Sequence, residues 1–224
     1  MGNLEISTKM IYNRLEQSWR YFFMTIFYKL NGSLYVNVTN RCPCSCTFCI
    51  RRNGPSVGDA DTLWLDHEPT LEEIRSAYET CDTAGCPEVV FCGYGEPMER
   101  LDIVLETCKY LRRKSTMKIR INTNGLSDLI NGKPTAHLLS GLVDIISISL
   151  NASNPKEYAR LTRSQFGEAS FEAMLNFAKD CKKFVPQVVL TVVDVLSPQE
   201  IAACQRIADE AGMPLRVRAY EGAE

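Results

Sequence analysis

The stretch Leu34-Tyr35-Val36-Asn37-Val38-Thr39-Asn40-Arg41-Cys42-Pro43-Cys44-Ser45-Cys46-Thr47-Phe48-Cys49 joins two patterns. Leu34–Asn40 alternates apolar and polar side chains, the two-residue period of a strand with one face buried. Directly after it, four cysteines fall within eight residues. A strand that runs straight into a thiol-rich loop places metal-ligand chemistry at a strand's C-terminal end. In parallel α/β folds, that is where ligands bind.

Downstream, the strand pattern repeats and alternates with helical periodicity. Strands are predicted over Leu34–Asn40, Glu88–Gly93, Met117–Thr123, Asp144–Asn151, Val188–Val195 and Leu215–Tyr220. Helices are predicted near Thr70–Thr83, Arg100–Lys114, Ala136–Leu142, Phe171–Phe184 and Pro198–Ala211. Thr70 before Glu72 and Glu73, Pro198 at a helix start and Gly212 after a helix end are boundary signals. Such alternation implies parallel strands with helical crossovers. Six βα-like units are too few for a closed eight-stranded barrel, which leaves an open partial barrel or a doubly wound sheet.

The polar positions separate these two. Asn37 and Thr39, Arg120, Asn122 and Asn124, Ser147, Ser149 and Asn151, and Arg216 and Arg218 occupy alternate positions on their strands. One sheet face must be apolar to meet the helices; the other is polar and needs partners. A doubly wound sheet wants both faces apolar. A lumen that holds a polar ligand satisfies the pattern, and a mixed sheet with one solvated face is the alternative. The fold expected is an α/β partial (βα)6 TIM-like barrel with parallel strands and a polar lumen.

The chain has 224 residues and a formal net charge of −2. The length suits one domain with a real core, and the net charge does not advertise nucleic-acid binding. Ten cysteines are too many to ignore, but the chain is neither small nor core-poor as disulfide-stapled secreted domains are. No charged-then-apolar leader or span of about 18 apolar residues is present. The expectation is a cytoplasmic protein without a membrane span, its cysteines serving as metal ligands or buried thiols. Residues 1–23, where Ile11, Leu15 and Trp19 recur at four-residue spacing, are set apart as an N-terminal extension, with one domain over 24–224 that a strand-like stretch opens at Met24. That extension reads either as a packed helix or as an upstream start that adds little.

Close cysteine spacing suits an iron–sulfur cluster or zinc. A zinc ribbon wants a second matched pair. Cys81 and Cys86 are too far apart for that, and neither His67 nor His137 sits in a paired motif.

The spacing Cys42-x3-Cys46-x2-Cys49, with Phe48 before the last cysteine, resembles the signature of the radical S-adenosylmethionine (SAM) superfamily. Further matches follow in order at successive strand ends: Gly93-Tyr94-Gly95-Glu96-Pro97, Asn122-Thr123-Asn124-Gly125 and Ser149-Leu150-Asn151-Ala152. The opening string Leu34–Cys44, with Phe91–Pro97 and Arg216-Val217-Arg218, is similar to the TatD-associated radical SAM group. One element departs: the strand Leu190–Val195 lacks the glycines of the family's Gly-x-Ile-x-Gly-x-x-Glu motif.

The resemblance implies that Cys42, Cys46 and Cys49 hold a 4Fe-4S cluster whose open iron is chelated by SAM. It implies further that Phe48 packs on adenine, that Gly93, Gly95, Glu96 and Pro97 form the turn receiving the SAM ammonium group, and that Asn124 lies beside it. Ser149 and Asn151 would meet the ribose, Asp194 the adenine through its backbone, and Arg218 the SAM carboxylate. The implied activity is reductive SAM cleavage to a 5′-deoxyadenosyl radical that takes hydrogen from an anionic or nucleotide-like substrate. An activase acting on a partner protein, and a non-catalytic iron–sulfur sensor or binding protein, are the alternatives. An electron donor such as a flavodoxin or ferredoxin, and a functional link to a TatD-type nuclease, are implied as partners.

Cys44 reads as a bystander in the loop. Cys81, Cys86, Cys92, Cys108, Cys181 and Cys204 read as core thiols. Arg120, Arg216 and Arg218 are candidates for carboxylate or phosphate binding, since a guanidinium offers a two-pronged donor. The long connection Arg51–Pro69, with Trp64 and His67, has the length of a lid.

Overall fold

A computed structural model describes residues 24–52, 54 and 57–220, so the expected N-terminal helix lies outside the described residues. The strands are β1 (Phe27–Leu30), β2 (Ser33–Val36), β3 (Glu88–Phe91), β4 (Lys118–Thr123), β5 (Ile145–Ser149), β6 (Gln187–Val193) and β7 (Leu215–Arg218). The helices are α1 (Leu71–Thr80), α2 (Leu101–Lys114), α3 (Ser127–Asn131), α4 (Pro155–Thr162), α5 (Ala169–Cys181) and α6 (Pro198–Ala211). Strand order in the single sheet is β1 to β7 in sequence. β2 to β7 pair in parallel and β1 joins β2 antiparallel. Sequential parallel order with helical crossovers is the topology of a barrel sector.

The six parallel strands are those read from the sequence, and β1 lies in the strand-like stretch that opens at Met24. It returns through Asn31 and Gly32, both at positive φ, as a tight two-residue hairpin turn requires. The paired residues stop short of the expected strand ends at Asn40, Gly93 and Asn151, where the chain lifts off the sheet into loops. The helix expected over Ala136–Leu142 is only a 3-10 turn, Ala136–Leu139. Helix α4 was not expected. Asn154 caps it, its Oδ1 accepting the Glu157 N–H at 3.0 Å, with Pro155 in the first turn.

Leu34, Val36, Val89, Phe91, Ile119, Ile121, Ile146, Ile148, Leu190 and Val192 share one face and are fully buried. They pack on Ile74, Val104, Leu111, Met174, Phe177 and Ala208 of the helices. Each such side chain contributes about 1.5–3 kcal/mol of transfer free energy. The alternate residues therefore face away from the helices, into the lumen. The boundary signals hold as read: Thr70 and Glu73 form a reciprocal capping box, Pro198 opens α6, and Gly212 ends it in the left-handed conformation.

Candidate functional site

The cysteine loop hangs from the C-terminal end of β2, and its backbone is pinned from two sides. Helix α4 holds one: the Ser45 N–H donates to Thr162 O, and the Thr47 N–H to Leu161 O, both at 2.9 Å. The Gln165 N–H donates in turn to Pro43 O at 2.9 Å. These bonds use carbonyls that the last turn of α4 leaves free. The β3 turn holds the other side, where the Glu96 N–H donates to Arg41 O at 2.8 Å.

Gly95 explains why that second contact is possible. A Cβ there would lie 2.2 Å from Thr39 O and 2.7 Å from Arg41 O, so the turn and the loop meet backbone to backbone. Gly93 is covered likewise, by the Asn37 side chain. The Glu96 side chain is turned into the protein. Its Oε1 accepts from Met98 N at 3.1 Å and Thr123 Oγ1 at 2.7 Å, and its Oε2 from Asn124 N at 2.7 Å. Burial, partly offset by these donors, raises its pKa to about 7. Its carboxylate is thus committed to tying the β3 and β4 ends together. Pro97 opens the 3-10 turn that follows.

Asn124 sits where these pieces join. Its Oδ1 accepts from Leu126 N at 2.9 Å and its Nδ2 approaches Cys44 Sγ at 3.8 Å. The Tyr158 hydroxyl donates to Asn124 O at 3.4 Å from α4. Cys44 is buried, whereas Cys42, Cys46 and Cys49 are half-buried and Phe48 packs against the core.

The donor chemistry of the loop fits an iron–sulfur cluster, whose ligands are thiolates. Contact with the Cys42 and Cys46 thiols, then burial, raises Cys44 far above the usual thiol range. The same contact, aided by Arg51 and Arg52, lowers Cys46. Among the described residues, no three His, Cys, Asp or Glu side chains are gathered tightly enough to hold a metal ion. The ligand candidates share one short loop rather than a closed cage.

The other predicted residues lie at later strand ends. Ser149 closes β5. Asn151 is buried at positive φ, and its Oδ1 has no hydrogen-bond partner among the described residues. An unpaired buried carbonyl is costly and marks a place for a donor. Asp194 follows β6 on the surface; its N–H donates to Arg218 O at 3.0 Å and its Oδ1 accepts from Tyr220 N at 2.8 Å. Asp194 thus ties the ends of β6 and β7 together.

Sequence reasoning gave Thr39 and Thr123 no role beyond their strand positions and missed Tyr158; all three brace the site. Thr39 Oγ1 donates to Glu68 at 2.5 Å and accepts from Arg41 N at 3.0 Å. The described part of the 51–69 connection is strapped down rather than loose. Asn37 Nδ2 donates to Leu63 O at 2.8 Å, and Asn40 makes two bonds to the Leu65 backbone. The Tyr94 hydroxyl donates to Gly54 O at 2.6 Å, and Trp64 stacks edge-on against Tyr94. His67 meets Glu73 at 2.9 Å. All ten cysteines are free, with Cys108, Cys181 and Cys204 fully buried in the core as expected.

No described helix is long and apolar enough to cross a membrane. Solved structures show the same architecture: the crystal structure of Streptococcus suis SuiB bound to S-adenosylmethionine superposes with a TM-score of 0.59 at 19% identity, over 84% of this chain and 38% of that one. Among curated proteins, molybdenum cofactor biosynthesis protein 1 of Dictyostelium discoideum is 26% identical over 71% of this chain and 24% of its own length. The GTP 3′,8-cyclase of Rhizobium etli is 28% identical over 82% of this chain and 50% of its own length. The chain thus spans half or less of the length of these two relatives. The family model of the radical SAM superfamily matches residues 36–207, from β2 through α6. With the barrel sector and the cysteine loop already in place, this match settles its kinship: the chain belongs to the radical SAM superfamily, enzymes that pair a 4Fe-4S cluster with SAM.

Proposed function

We propose that Cys42, Cys46 and Cys49 hold the cluster, and that SAM lies across the β2–β5 strand ends above the lumen. When bound, the cluster supplies the electron that cleaves SAM and releases a 5′-deoxyadenosyl radical. The observation that carries the assignment is the double anchoring of the cysteine loop, to the α4 carbonyls and to the Gly95-Glu96 turn. A loop held this way presents its thiols at little further entropic cost.

The chain's own residues then bind and orient. Carbonyls of the Gly93–Pro97 turn receive the SAM ammonium group, because the Glu96 carboxylate is already taken by Met98, Thr123 and Asn124. Asn124 stands beside that turn. The unpartnered Asn151 Oδ1 accepts a ribose hydroxyl, with Ser149 next to it. Phe48 covers the adenine, and the Asp194 region lines its far side. Water is kept out by the strapped 57–69 connection, whose Leu63 is fully buried.

For the substrate, the polar lumen and relatives named GTP 3′,8-cyclase favour an anionic, nucleotide-like molecule over a protein partner. The nearer kinship we infer is with the TatD-associated group, supported by the strings Leu34–Cys44 and Arg216–Arg218. An acidic electron carrier of the flavodoxin or ferredoxin kind would reduce the cluster, and a TatD-type nuclease is the functional neighbour this kinship suggests. The test is anaerobic reconstitution with iron and sulfide, then reduction and addition of SAM, with 5′-deoxyadenosine assayed by mass spectrometry. Product from the native chain but not from a Cys42→Ala, Cys46→Ala, Cys49→Ala variant supports the reading. A well-loaded cluster that yields none with any candidate substrate or reductant removes it.

A further inference from the structure

The lumen carries a second polar cluster that the SAM assignment leaves unused. The helix-facing residues fix which positions point inward, and on that side lie Tyr35 of β2, Glu88 of β3, Arg120 and Asn122 of β4, Ser147 of β5 and Arg216 of β7. Arg120 is the anchor. Its side chain is only 11% exposed, its Nη2 donates to Glu88 Oε1 at 2.6 Å, and its Nε is buried with no acceptor. Glu88 also accepts from Ser33 Oγ at 3.0 Å, which fixes the carboxylate in place. Asn122, one inward position further along β4, also has a buried Oδ1 without a donor.

Arg216 comes from the other side of the opening. Its Nη2 donates to Ser147 Oγ at 3.3 Å, two strands away in the sheet order, so its head group reaches inward over β6. Its surroundings are unusual for an edge residue: burial lowers its pKa, and the Arg120 and Arg218 guanidiniums lower it further. Among the described residues neither Arg216 nor Arg218 has an ion-pair partner, and Glu88 is the carboxylate paired to Arg120. Among the described residues, three guanidiniums against one carboxylate leave two positive charges along one wall. Like charges held near one another disfavour ionisation, and a bound anion relieves that cost. Both edge arginines keep contact with solvent, as an entry route requires.

We propose that Arg120, Arg216 and Arg218, the last reassigned from the SAM carboxylate that the resemblance implies for it, form an oxyanion-binding wall that takes the phosphate or carboxylate group of the substrate within the lumen. This rests on the radical SAM reading and names where the substrate is held. Arg216 is the principal ligand, because Arg120 is already half-neutralised by Glu88. The unpaired Arg120 Nε supplies a second donor to the same anion. A guanidinium fork suits either group.

The test uses the full chain without cluster and reads binding, not turnover. Pyrophosphate and citrate are each titrated by calorimetry at matched ionic strength, with sodium chloride as reference, into the native chain and into Arg216→Gln and Arg216→Lys. The expected result is saturable binding of at least one of the two. It should weaken about tenfold or more in Arg216→Gln, as loss of a charge-assisted bond does, and recover in part in Arg216→Lys. The stronger ligand names the group as phosphate or carboxylate. SAM binding is measured alongside by equilibrium dialysis on the anaerobically reconstituted, cluster-bearing chain and should be unchanged in Arg216→Gln and unaffected by pyrophosphate. Two results overturn the proposal: oxyanion binding no different from chloride or insensitive to Arg216, and mutual exclusion of SAM and pyrophosphate, which would give these arginines to the SAM carboxylate. Failure of the radical SAM reading shows separately, as absence of 5′-deoxyadenosine with oxyanion binding intact. Circular dichroism confirms that each variant is folded.

Discussion

The Glu96 carboxylate accepts the backbone N–H of Asn124 at 2.7 Å, while the Glu96 N–H donates to Arg41 O at 2.8 Å. One residue thereby joins three strand ends: the cysteine loop after β2, the turn after β3 and the turn after β4. The acid is spent on architecture, and the chemistry around it inherits its position.

Glu96 makes stability fall as pH rises. Its pKa is about 7 in the folded chain against 4.5 when unfolded, with burial as the cause. A raised pKa gives stability that is complete below 4.5 and is lost as pH climbs through about 7. The swing is on the order of 3 kcal/mol. Urea unfolding at pH 5 and pH 8 should show the native chain losing this margin relative to Glu96→Gln. Parallel pH profiles for the two proteins would refute the linkage.

Gly95→Ala should separate the turn from the loop. The added methyl meets backbone oxygens of Thr39 and Arg41, which have no room to yield. A cost of about 1–3 kcal/mol follows from the forced shift, together with poor iron retention after reconstitution. Gly132→Ala is the comparison: its φ is +64° but open space surrounds it, so it should cost about 1 kcal/mol and leave iron content unchanged. Equal iron loss in both would show that the close approach is unimportant.

Removing the cap of α4 should reach the cysteines through the backbone. Asn154→Ala loses the bond to Glu157 N and about 1 kcal/mol. Because Leu161 and Thr162 hold Thr47 and Ser45, cluster loss on exposure to a chelator should quicken, while Gln205→Ala, which removes an exposed contact to Asp209 within α6, should not change it. Identical chelation rates would detach α4 from the loop.

Asn151→Gly tests the ribose contact. Glycine accepts the positive φ without strain and deletes an acceptor that has no partner, so the unfolding midpoint should move little. SAM affinity should fall about tenfold. Unchanged affinity by equilibrium dialysis would remove Asn151 from the site.

The parallel sheet was legible because six strands carry their period in contiguous residues, and the cysteine loop because its spacing is local. The strand-like stretch after Met24 was legible too, and Asn31-Gly32 between apolar runs is the two-residue turn that pairs it with β2. Helix α4 was also announced, by Asn154-Pro155 with Glu157 following, but eight residues offer too short a period to see. What no linear pattern displays is orientation. Glu96 stands in a motif that suggests ligand contact, yet its side chain turns to Thr123 and Asn124, partners brought near only by the sheet register. Gly95 is similar: its need for closeness is readable, but whether the neighbour is a ligand or the chain itself is not.

The short strand β1 has a further effect. By pairing with β2 it makes the cysteine-bearing strand an interior one, while β7, paired on one side among the described residues, stays at the margin. Interior amides open only with large parts of a fold, and marginal ones open by local fraying. The two ends of the site therefore run on different clocks. In hydrogen–deuterium exchange, the β2 amides would exchange near the global unfolding limit, and those of β7 many times sooner. On the proposed assignment, the cluster end stays still and the arginine end admits a guest.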